Sequence, residues 1–325
     1  MMGVKLAGTG SALPSRVVTN DDLAQIVDTS DAWISTRTGI RSRRYLGEGE
    51  SHRQLARDAA ERALAAAGIT PEQVGVCLVA TFTSEAATPS TACLLQRDLG
   101  LPEDTLCLDL NAACAGFVYG LHTAECLLAD EATRPYALVV GVDAVSRVLD
   151  FTDRSTCVLF GDGAGAAVLE RGEGYPGLAA AWGLRGDDEP LFAPGVGARV
   201  DGDGAGRTPA HLRMDGRAVF RFATEALPRC TQDVLARAGL AAADVDRYVF
   251  HQANSRIVDL AVRKLGLDPA RCEGNIAHTG NTSAASVPIL LDELVRGGKL
   301  TSGQRALCVG FGAGLTWAGA LLQLK

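Results

Sequence analysis

Apolar residues fall in short runs separated by longer stretches of mixed character. Val76-Cys-Leu-Val-Ala80 is continuously apolar and predicts a buried strand. A polar turn follows, then a helical stretch stopping at Leu99-Gly100, a strand at Leu106-Cys-Leu-Asp-Leu110 and a helix of small residues from Cys114. The same order returns roughly 165 residues later. Arg247-Tyr-Val-Phe-His251 predicts a strand and a helical stretch ends at Leu265-Gly266. Asn275-Ile-Ala277 predicts a short strand, and a small-residue helix starts from Asn281. Each half closes on a strand pair around a glycine turn. The first pair is Ala137-Leu-Val-Val-Gly141 with Phe160-Gly-Asp-Gly-Ala-Gly-Ala-Ala-Val-Leu169. The second is Ala306-Leu-Cys-Val-Gly310 with Phe311-Gly-Ala-Gly-Leu-Thr-Trp317.

Buried strands alternating with amphipathic helices predict sheets covered by helices. The recurrence predicts a duplicated α/β unit, residues 1–172 forming one half and 173–325 the other. The joining stretch, 171–216, is rich in Gly, Asp and Pro from Gly183 to Arg207 and reads as a surface excursion. In this reading Cys114 and Asn281 hold matching positions, each at the start of a helix that follows a strand. A pseudo-twofold arrangement then aims both helix N-termini at one central site, with His251 at the end of a neighbouring strand.

Composition narrows the function. A chain of 325 residues buries a large core, and 47% hydrophobic, 21% charged and 5% aromatic residues with 37 Gly describe an α/β protein. The few aromatics and the net charge of −7 argue against nucleic-acid stacking and against general nucleic-acid or membrane binding. Nine Cys carry no CxxC pair and no Cys/His spacing typical of zinc, so reduced thiols and no metal are expected. Met1-Met-Gly-Val-Lys5 has no basic stretch leading into a hydrophobic segment, and no apolar run reaches membrane-spanning length. A cytoplasmic protein is expected. Gly161-Asp-Gly-Ala-Gly-Ala166 matches a loose dinucleotide fingerprint, but it precedes Ala-Ala-Val-Leu-Glu170, which reads as a strand. It reads as a tight turn, with Gly supplying positive φ and close backbone approach.

Three islands carry the chemistry: Asn111-Ala-Ala-Cys-Ala-Gly-Phe117, His251-Gln-Ala-Asn-Ser-Arg256 and Gly280-Asn-Thr-Ser-Ala-Ala-Ser286. A lone Cys is usually core filler, a lone strand-end His a surface residue, and Gly-Asn-Thr-Ser a helix cap. Together they make a thiol nucleophile with two hydrogen-bond donors. Cys114 at a helix start lies in the positive field of that terminus, which lowers a thiol's pKa. Small neighbours leave room for a substrate. Papain-like proteases also combine Cys, His and Asn, but their signature around the nucleophile differs. The set suits carbon–carbon bond formation on thioesters.

At these residues the chain resembles the β-ketoacyl-[acyl carrier protein] synthase III family, initiating condensing enzymes with the thiolase fold. The resemblance runs along nearly the whole chain. It includes Gly8-Thr-Gly-Ser11, Asp28-Thr-Ser-Asp31 with Trp33, Thr36-Arg-Thr-Gly-Ile40, Thr152-Asp-Arg154, the three islands and the Phe311 turn. It implies a thiolase-like duplicated αβαβα fold and a homodimer. It implies that Cys114 is acylated by an acyl-CoA, and that His251 and Asn281 support decarboxylation of malonyl-acyl carrier protein and condensation. The oxyanion donors would be the backbone N–H groups of Cys114 and Ala313. Trp33 and Arg154 match residues that sandwich the coenzyme A adenine, Arg37 a phosphate contact, and Asn254 a pantetheine contact. Arg256 matches a carrier-protein docking cation, with Arg221, Arg263 and Lys264 as further candidates. Thr88 stands where straight-chain-specific relatives have Phe, implying a roomier primer pocket. Thioester and carboxylate supply the reactivity, so no cofactor is implied. The alternative reading is an acyltransferase of the same fold acylating an oxygen or nitrogen nucleophile, for which Asn281 would be superfluous.

Overall fold

The computed structural model describes residues 2–129, 134–195 and 211–325. The first part runs β1 (Met2–Ala12), β2 (Arg16–Thr19), α1 (Asn20–Ala24), α2 (Asp31–Thr38), β3 (Ser42–Tyr45), α3 (His52–Ala67), β4 (Val74–Ala80), α4 (Thr91–Leu99), β5 (Leu106–Leu110), α5 (Gly116–Ala129), β6 (Tyr136–Ala144) and β7 (Asp162–Glu173). The second runs β8 (Ala179–Asp187), β9 (Leu191–Phe192), β10 (Arg213–Met214), α6 (Gly216–Ala238), β11 (Arg247–Phe250), α7 (Ser255–Leu265), α8 (Ile276–Thr279), α9 (Ser286–Arg296), β12 (Arg305–Gly312) and β13 (Gly314–Gln323).

The strands form two main sheets, ordered β1-β7-β6-β4-β5 and β11-β12-β13-β8. In each, parallel strands at one side (β6-β4-β5, β11-β12) meet antiparallel partners at the other. Helices α5 and α9 fill the space between the sheets, where Phe117, Leu121, Val287 and Leu290 share one core with Val139 and Cys308. On the outer faces, α3 and α4 cover the first sheet and α6 and α7 the second. The result is five layers, αβαβα. Strand β4, inside the first sheet between β6 and β5, is buried along its whole length, because helices cover both of its faces.

The middle layer explains the small residues. Gly141 and Gly165 face each other across β6 and β7. A Cβ on Gly141 would lie 2.3 Å from the Ala284 carbonyl oxygen, and one on Gly165 would lie 2.7 Å from the Ile289 nitrogen. The glycines therefore make the floor on which α9 starts. This corrects the reading of Gly161–Gly165 as a positive-φ turn: Gly163 and Gly165 lie inside β7, with ordinary φ. Close approach is the reason for them. The joining stretch also differs from a simple excursion. It contains β8, which completes the second sheet, and Gly183 there lets the Trp317 ring lie against the strand. Residues 196–207 of that Gly/Asp/Pro-rich stretch lie outside the described residues.

Candidate active site

Cys114 sits in a 3₁₀ turn, Ala113–Ala115, between β5 and α5. The turn holds Ala113 at φ 46°, a left-handed conformation costly for a residue with a side chain. Asn111 braces it, its Oδ1 accepting the Ala113 N–H at 3.1 Å. The same construction stands before α9. Ser283 has φ 52°, its N–H donates to Asn281 Oδ1 at 2.9 Å, and a 3₁₀ turn spans Ser283–Ala285. The pseudo-symmetry therefore pairs Asn281 with Asn111 and Ala284 with Cys114. This corrects the expected pairing of Cys114 with Asn281, which aligned those two residues rather than the turns. The strand expected at Asn275–Ala277 is instead the start of α8. Asn281 is held from the other half of the chain: its N–H donates to the Leu159 carbonyl at 2.9 Å, and its carbonyl accepts from Gly161 at 3.0 Å.

The thiol is enclosed. Its Sγ lies 3.4 Å from Ser283 Oγ, and Ser283 in turn bonds the buried carboxylate of Asp143. Burial pushes the Cys114 thiol up to about 12, opposed by the Ser283 hydrogen bond and reinforced by the Asp143 charge. The lowered pKa expected from the helix N-terminus is corrected: desolvation outweighs that field, so the resting group is a thiol.

His251 follows β11, and its N–H donates to the Val309 carbonyl at 2.8 Å. The ring stands edge-on to Phe311, with centroids 5.0 Å apart. Burial pushes the imidazole down to about 3, so it is neutral at physiological pH. Its buried Nδ1 has no partner. A bare lone pair costs less than a bare N–H, which puts the proton on Nε2. In Asn281, Oδ1 is committed to Ser283, which leaves the amide NH₂ as the free end.

Cys114, His251 and Asn281 line one cavity of about 710 Å³. A smaller one, about 190 Å³, shares Cys114, Phe160 and Leu191 with it and continues past the thiol along Phe82, Leu212 and Ala313. The backbone after Phe311 skims Cys114, since a Cβ on Gly312 would lie 2.9 Å from Cys114 Cβ and 3.0 Å from Sγ. A separate groove of about 820 Å³ near Gly174–Ala179 touches none of these three residues.

Family models described as 3-oxoacyl-[acyl-carrier-protein (ACP)] synthase III and its C-terminal part match residues 108–186 and 235–324. A β-ketoacyl-[acyl-carrier-protein] synthase III of Neisseria meningitidis is 42% identical over 323 residues, covering 99% of this chain and all of the relative. The chain belongs to the 3-oxoacyl-[acyl carrier protein] synthase III family. It is thus a condensing acyltransferase of fatty-acid biosynthesis with the thiolase-like fold. The crystal structure of the synthase III from Pseudomonas aeruginosa superposes with a TM-score of 0.90 at 42% identity, covering 99% of this chain and 98% of that one. The priming β-ketosynthase of the R1128 polyketide pathway superposes with 0.93 at 37% identity, covering 99% and 96%.

The other synthase III positions read from sequence divide into three groups. Trp33, Arg37, Asn254, Arg221 and Arg256 line the larger cavity, joined by Arg217, which the sequence reading missed. Asn254 caps α7 with its Oδ1 and donates from Nδ2 to the Arg37 carbonyl at 3.1 Å, tying α7 to α2. Arg154 stacks its guanidinium 4.9 Å from the Trp33 ring centre, and Arg37 lies at 4.8 Å. Direct stacking leaves no slot for an adenine between Trp33 and Arg154, so the expected sandwich needs Arg154 to swing out. Arg263 and Lys264 are exposed in the last turn of α7, away from the cavity lining, where cations complement the helix dipole. Thr88 is exposed in the segment between β4 and α4 and is not among the residues of this chain that line either cavity holding Cys114. Among the described residues no helix is long and apolar enough to cross a membrane.

Proposed function

We propose that this chain joins an acyl-CoA primer to malonyl-acyl carrier protein through a Cys114 thioester, with loss of CO₂, giving a 3-oxoacyl-carrier protein. The observation that carries this is the meeting of the thiol, the neutral imidazole and the free amide end in one cavity. Residues 1–172 supply the nucleophile and 173–325 supply His251 and Asn281. Cys114 attacks the thioester carbonyl, and its proton leaves on the coenzyme A sulfur. The backbone N–H groups of Cys114 and Ala313 receive the oxyanion. Malonyl-carrier protein then enters, and decarboxylation leaves an enolate whose oxygen takes hydrogen bonds from His251 Nε2–H and the Asn281 amide. The carbanion attacks the acyl-Cys114 carbonyl, the C–S bond breaks, and Cys114 leaves as a thiolate that takes a proton from solvent to return to the resting thiol. Trp33, Arg37, Arg154 and Asn254 hold the coenzyme A and pantetheine arm. Asn281 favours this reading over transfer to an oxygen or nitrogen nucleophile, because only an enolate needs its donor. The test is sequential. Acyl-CoA alone should add one acyl mass to the protein, and added malonyl-carrier protein should discharge it as 3-oxoacyl product. Discharge without a carbon–carbon bond would overturn the reading.

Arg37, Arg217, Arg221 and Arg256 rim the mouth of the cavity and give an acidic carrier protein a basic landing site on a chain of net charge −7. Arg256→Glu should weaken use of malonyl-carrier protein about tenfold at low salt and less at moderate salt, while sparing acyl-CoA use. Apparent affinity measured at both salt concentrations checks this. An unchanged value at both removes Arg256 from the docking surface.

A cytoplasmic homodimer completes the proposal. β5 is an edge strand with Leu106 and Leu108 exposed, and such an edge invites pairing with its own copy. Light scattering should give twice the 33.9 kDa chain mass; a monomer at assay concentration would overturn this part.

A further inference from the structure

The cavity behind Cys114 has an aromatic wall from outside the three islands. Phe82 follows β4 and lines the 190 Å³ cavity with Cys114, Phe160, Leu191, Leu212 and Ala313. Its side chain packs against the apolar cluster of Val145, Leu149, Phe160, Leu191 and Leu212.

The backbone that carries the ring is tied down. Phe82 N–H donates to Asp143 Oδ1 at 3.0 Å, and the same oxygen accepts the hydroxyls of Thr81 at 3.0 Å and Thr83 at 2.9 Å. Asp143 Oδ2 accepts the Ala284 N–H at 3.1 Å. Ala284 adjoins Ser283, the residue that touches the nucleophile's sulfur. One fully buried carboxylate thus joins the ring-bearing segment to the turn against the thiol. A ring held this way limits the cavity as a wall, where a ring on a loose loop would yield to a longer chain.

We infer that Phe82 sets the size of the acyl group that Cys114 accepts and holds the site to short primers; this rests on the acyl-enzyme reading above. At the roughly 30 Å³ that a water occupies in the liquid, a 190 Å³ cavity takes about six heavy atoms. Primers up to about that size fit, and longer ones meet the ring. Phe82 is the wall that this chain itself supplies to that cavity.

The experiment compares Phe82→Ala and Phe82→Leu with the natural protein. Acylation of Cys114 is followed by intact mass with acetyl-, isobutyryl-, hexanoyl- and decanoyl-CoA, and the decanoyl-to-acetyl ratio of kcat/KM is read. Each newly accommodated methylene is worth about fourfold. The ratio should rise at least about tenfold in Phe82→Ala and by less in Phe82→Leu. An unchanged ratio in the variants overturns the inference, as does a natural protein that already takes decanoyl-CoA as readily as acetyl-CoA. If Phe82→Ala does not fold, the ratio in Phe82→Leu decides. Failure of every acyl-CoA to label Cys114 in the natural protein is a different result, and it overturns the acyl-enzyme reading itself.

Discussion

Cys114→Ala yields a protein that takes up no acyl group from any acyl-CoA. Among the described residues, Cys114 is the only cysteine lining either cavity next to His251 and Asn281. Cys77, Cys157, Cys230 and Cys308 are buried elsewhere, and Cys93 and Cys126 sit on the exposed surface. Burial keeps the Cys114 thiol protonated at rest, so its reactivity depends on a substrate filling the cavity rather than on a standing thiolate. The Ala variant loses one sulfur from a packed site and keeps the Ala113 turn, so it should fold. The measurement is intact mass after acetyl-CoA, with thermal unfolding as the control for folding. An acyl adduct on the folded Ala variant would move the nucleophile to another residue.

His251→Ala and Asn281→Ala each cut malonyl decarboxylation and condensation by at least about a hundredfold, the usual scale for one oxyanion donor. Both side chains are built to donate. His251 is kept neutral by burial, and Asn281 has its oxygen committed to Ser283. Acylation of Cys114 should fall much less in Asn281→Ala, because no enolate forms in that step. Asn281→Asp refines the test: it keeps an oxygen for Ser283 and loses the NH₂, so a decarboxylation defect as deep as that of Asn281→Ala assigns the loss to the donor. The half-reactions are read separately, by acyl-enzyme mass and by CO₂ release. Equal losses in both would make Asn281 a holder of the turn rather than a donor to the enolate.

Much of this site was legible along the chain because its parts obey local rules. Cys114 and Asn281 stand among small residues because α5 and α9 start in the crowded layer between two sheets. His251 directly follows the four-residue strand β11, whose Tyr248, Val249 and Phe250 are buried. The helix ends at Leu99 and Leu265 were marked by Gly100 and Gly266, both left-handed C-caps. The short segments were less readable. Ile276 and Ala277 are apolar enough for a strand, yet they open α8, which Asn275 precedes, and the Ala277 carbonyl accepts the Arg41 N–H at 2.9 Å just before β3. Nothing in three residues carries that information.

The sequence by itself determined the layered α/β class, the repeat and the three islands whose Cys114, His251 and Asn281 meet in one cavity, because periodicity and residue type act over a few neighbours. Tertiary structure alone decided what those side chains do. It set the protonation of Cys114 and His251, since desolvation depends on everything that encloses a group. It paired Asn281 with Asn111, since the shared turn appears only in backbone angles. It also brought Phe82 and Ser283 into the cavity that Cys114 lines, since a cavity wall is assembled from segments far apart in the chain that share no local pattern.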